Sequence, residues 1–117
     1  MNVLKCKSSG TILLVDPAIL LSASANASNG LTKPDNAGAA STDYLHLFGL
    51  VALGYMWARM AKVAQDKLAE AGEQPRLKDK LVTGKFFMER MLPETSLRLS
   101  RVQAGAASTM ELPAEAF

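Results

Sequence analysis

The sequence predicts an all-α fold, an antiparallel hairpin of two long helices with the second kinked at Pro93. Three observations carry that expectation. Residues 44–58 form a run of fifteen residues without a formal charge, and large apolar side chains recur along it at helical spacing. A second stretch with three–four spacing follows from about Pro75. The first helical pattern runs to about Glu70, only Ala71 to Gln74 lie between, and so short a connection makes consecutive helices antiparallel neighbours. The composition agrees. The chain has 117 residues, at most one domain, and its 49% hydrophobic content is largely alanine and leucine, which suit helices. The apolar faces of the two helices exceed what one hairpin covers, so self-association is expected to complete a bundle.

Residues 1–29 read as a divergent N-terminal segment. Lys5 and Lys7 precede an apolar run from Thr11 to Val15, then Asp16-Pro17, then Ala18 to Leu21 and a Ser/Ala/Asn tract. The outline imitates a secretory signal ending near Ala23-Ser24-Ala25. Asp16-Pro17, however, splits its apolar middle with a charge and a helix breaker. A short buried strand or helical turn is the plainer expectation, and a stretch foreign to the rest of the chain is another. Residues 30–40 are expected to be loop, because Lys33-Pro34-Asp35-Asn36 is turn chemistry. A helical domain then occupies 41–117.

The first helix is expected from about Thr42 to Glu70. Ser41 or Thr42 would cap it, and Asp43 would meet its positive end. Leu50, Leu53, Trp57, Met60, Ala64 and Leu68 give one continuous buried stripe. Phe48, Val51, Tyr55 and Met56 make the first half apolar nearly all round, the mark of a helix covered on several sides. The expected packing and interface residues are therefore Phe48, Val51, Tyr55, Met56, Trp57 and Met60. Gly54 and Ala58 form a small-xxx-small pair, read as a packing notch. Gly72 is the expected stop.

The second helix is expected from Pro75 to Ala104, with Leu77, Leu81, Gly84, Met88, Met91, Thr95 and Val102 inward and a break near Leu92. Gly105 ends it, Ala106 to Met110 add a turn, and the apolar tail Leu112 to Phe117 is expected to dock.

No catalytic constellation emerges. The single Cys6 and single His46 exclude a disulfide framework and a soft-ligand metal cluster. His46 lies on an apolar helix and reads as a structural or interface residue. Glu89 with Arg90, and Glu94 with Arg98, read as weak local pairs. The aromatic side chains could stack on a ring ligand, but at helical spacing they read first as core. No catalytic, cofactor-binding or metal-binding residue is assigned. The net charge of +2 is too small to argue for nucleic acid. The uncharged run falls short of the about twenty residues a membrane span needs, so no span is expected.

Several segments together resemble the C-terminal helical extension of one branch of the acyl-CoA dehydrogenases. They are Asn36 to Leu45, Leu47 to Val51, Gly54 to Ala61, Phe86 to Thr95 and the ending Leu112 to Phe117. The resemblance covers residues 29–117. It implies a parent flavoprotein that oxidises acyl-CoA to enoyl-CoA with FAD in fatty-acid β-oxidation. The flavin site and catalytic glutamate of that family lie upstream of the matching region, so none is carried over. Residues 1–29 do not resemble the family, as a truncated gene, a frameshift or a foreign start would produce. The expected role is a structural or oligomerisation domain in the cytoplasm. Its partner would be a second copy or the dehydrogenase core. A small helical adaptor or a membrane-associated hairpin is the alternative.

Overall fold

The computed structural model describes Leu4–Lys5, Ile12–Leu13, residues 21–25 and residues 29–116. Among the described residues the fold is all-α apart from one minimal strand pair. Strands β1 (Leu4–Lys5) and β2 (Ile12–Leu13) pair antiparallel, with Leu4 opposite Leu13 and Lys5 opposite Ile12. Residues 21–25 are helical, and a 3₁₀ turn covers Asn29–Leu31. Helix α1 runs Pro34–Ala71 and helix α2 Pro75–Phe86. A π turn at Phe87–Met91 follows, then α3 (Glu94–Ala104), α4 (Ala107–Met110) and a final 3₁₀ turn at Ala114–Ala116.

Helix α1 begins eight residues before the expected Thr42, so the expected loop over 30–40 is largely helix. Pro34 supplies a fixed φ at the first position, where its missing N–H costs nothing, and Asp35 meets the positive helix end. Ser41 is thus not a cap. Its hydroxyl donates to the Gly38 carbonyl at 2.9 Å, one turn back. Gly72 and Gly105 adopt φ of +76° and +71°, a conformation that closes a helix and strains any side chain. They stop α1 and α3 where the sequence expects. Pro93 divides the second helical limb, as its missing N–H dictates.

The chain forms two compact units. The first comprises residues 1–16 and 50–93. There α2 returns along the second part of α1, and Trp57 packs against Gly84 and Phe87. The second comprises residues 17–49 and 94–117. There α3 returns along the first part of α1, with Arg98 reaching Asp43 and Ala106 reaching Asn36. Residues 21–25 belong to this unit. Ala23 is fully buried, and Ser24 and Tyr44 share a hydroxyl hydrogen bond of 3.0 Å.

The buried positions are mostly small. Ala58, Ala64, Gly54, Gly84 and Phe87 are buried in the first unit, and Ala23, Ala40, Leu47, Thr95, Val102 and Ala106 in the second. Small residues let helix backbones approach closely but bury little area each. Leu53, expected in the buried stripe, is exposed, as is Met91. In the tail, Leu112 and residues 113–116 stand exposed rather than docked. Phe117, which ends the expected docking tail, lies outside the described residues.

Candidate functional site

In the first unit, Trp57 points into the hairpin. Its ring centroid lies 6.3 Å from that of Phe87 at an interplanar angle of 29°, and Gly84 leaves room for its edge. The Lys80 ammonium sits 5.7 Å from the Trp57 ring centroid, a cation–π contact at the rim of the joint. Trp57 therefore belongs to the internal joint of the hairpin and not to an outer face. A helix apolar all round carries no asymmetry to say which side turns inward, and Gly84 on the other helix decides it.

The outer side of the same helix is different. Tyr55 is 53% exposed and Met56 49% exposed, and Leu53 and Val63 are exposed as well. Arg59 folds its guanidinium over the Tyr55 ring at 5.8 Å, shielding part of it from water. Lys62 pairs with Asp66 at 3.0 Å, one turn on. On α2, Val82 and Phe86 also face solvent. Of the six expected packing residues, Trp57 is half-buried in the joint, and Val51 and Met60 are half-buried. Phe48, Tyr55 and Met56 are exposed. Exposure thus differs among the six. Apolar excess was legible in the sequence, whereas the split between faces was not.

The second unit contains an ion-pair cluster. Arg98 Nη1 donates to Asp43 Oδ1 at 2.6 Å, and Arg98 Nη2 to Glu94 Oε1 at 2.6 Å. Arg101 stands 3.7 Å from the same Asp43 oxygen. Asp43 is only 17% exposed. The Arg98 hydrogen bond holds its carboxyl below the usual range against the opposing effect of burial, and the Arg101 charge adds to the lowering. Asp43 and Glu94 together hold the Arg98 guanidinium above its ordinary value. Asp43 lies too far inside α1 to serve the helix end. It ties α1 to α3 instead. The Glu94–Arg98 pair forms as the spacing suggests, whereas Glu89 pairs with Lys85 at 3.7 Å rather than with Arg90. Nearby, Asn36 Oδ1 accepts the Ala106 amide at 2.9 Å beside Gly105.

Among the described residues, this geometry joins helices. The Asp43–Arg98 ion pair and the Asn36–Ala106 contact tie helices in the second unit, and an aromatic joint does so in the first. His46 is exposed. Among the described residues, no three of His, Cys, Asp and Glu come together in a way that could hold a metal ion. Helix α1 is long and apolar enough to cross a membrane by length and composition, with 28% of its most apolar window buried.

The family model described as acetyl-CoA dehydrogenase C-terminal like matches residues 18–113. The match begins inside the segment that the sequence reading set apart from the family, and it takes in the buried Ala23. Comparison with curated proteins gives no match.

Proposed function

The chain belongs to the acetyl-CoA dehydrogenase C-terminal-like family, and from that premise we propose that it is a structural docking module of an acyl-CoA dehydrogenase-type flavoprotein. In this reading the flavin, the catalytic base and the oxidation of acyl-CoA belong to the dehydrogenase body. The present chain contributes a surface. The observation that carries the reading is an inversion of side-chain size. The chain buries chiefly alanine and glycine, while Tyr55, Met56 and Val63 stand outward on α1. A large exposed apolar surface marks an interaction site. The expected occupant is a second copy of the chain or the dehydrogenase body.

Light scattering behind size exclusion, in detergent-free buffer, tests this. A sharp dimer or tetramer that Met56→Lys converts to monomer supports docking through α1. A monodisperse monomer at high concentration that also fails to bind a dehydrogenase body overturns it. The length and apolar character of α1 favour one second reading, a membrane-associated hairpin. Flotation with neutral phospholipid vesicles, together with insolubility without detergent, would select that reading.

A further inference from the structure

We draw no further inference here: the strongest candidate, the exposed apolar surface of Val82 and Phe86 on α2, is an unpartnered helix face, and nothing in the structure shows what covers it.

Discussion

Gly49 and Gly84 both sit inside helical limbs, and one substitution made at each separates helix propensity from packing. Alanine in place of glycine in a helix interior stabilises by about 1 kcal/mol. At Gly49 a Cβ would meet nothing within 4 Å. At Gly84 it would lie 3.3 Å from Trp57 Cε3 and 3.9 Å from Cζ3. The shorter distance falls short of the optimal carbon–carbon separation of about 3.5–4.0 Å. Trp57 lies against Phe87 and beneath Lys80, so it yields at the low end of the overpacking range, about 1 kcal/mol. Gly49→Ala should therefore raise the unfolding free energy by about 1 kcal/mol, while at Gly84 the two effects of about 1 kcal/mol cancel. Urea denaturation followed by helical circular dichroism reads both, provided the m-value stays constant. In a Trp57→Ala background the contact is gone, and Gly84→Ala should regain its full propensity gain of about 1 kcal/mol. Equal stabilisation at both glycines in the native background would refute the notch beneath Trp57.

The second unit supports three further predictions. Asp43 has a lowered carboxyl pKa in the folded state, set first by its hydrogen bond from Arg98. Its stabilisation is therefore present above the unfolded carboxylate value of about 3.9 and is lost as pH falls through the lower folded value. Asp43→Asn should lower the urea midpoint at neutral pH and flatten this acid limb, which a series of midpoints below pH 5 would detect (pH values on the order set by the unfolded carboxylate). Asn36→Ala removes the acceptor of the Ala106 amide and should cost about 1–3 kcal/mol, with faster hydrogen exchange at Ala106 as its local signature. Ala23→Leu forces bulk into a fully buried position and should destabilise by about 1–3 kcal/mol by thermal denaturation. An unaltered melting temperature would remove residues 21–25 from the working core.

Much of the fold was legible because its punctuation is local. Gly72, Gly105 and Pro93 each act through their own backbone, and each ends or breaks a helix where sequence reasoning places the event. The start of α1 was misread because Lys33-Pro34-Asp35 satisfies two rules at once. Proline followed by aspartate serves a turn, and it serves a first helical turn equally well. The bond from the Ala106 amide to Asn36, 70 residues away, favours the helical choice and has no local signal. The Asp43–Arg98 pair spans 55 residues and has no local signal. Met91 failed for a different reason. Its spacing is correct for an α-helix, and the π turn before Pro93 breaks the period on which the inference relies. Exposure along α1 was half legible. Excess apolar character predicts outward exposure, but only the geometry of Gly84 shows that Trp57 is not part of it.

The size inversion makes stability depend on company. Alanine and glycine at the buried positions bring backbones together while removing little apolar surface from water, and a chain of this length has a limited core to begin with. Covering Tyr55, Met56 and Val63 would then supply a large share of the missing burial. If a second copy covers them, folding and association are linked, and tenfold more protein adds about 1.4 kcal/mol per dimer. The urea midpoint should rise steadily with concentration, and Met56→Lys should abolish the rise while leaving the dilute-limit midpoint nearly unchanged, because Met56 touches solvent in the isolated chain. If the dehydrogenase body is the occupant, the midpoint stays flat with concentration and rises only when that body is added. A midpoint indifferent to both would mean that the small inward residues suffice, and that the outward side chains on α1 contribute nothing to holding the chain folded.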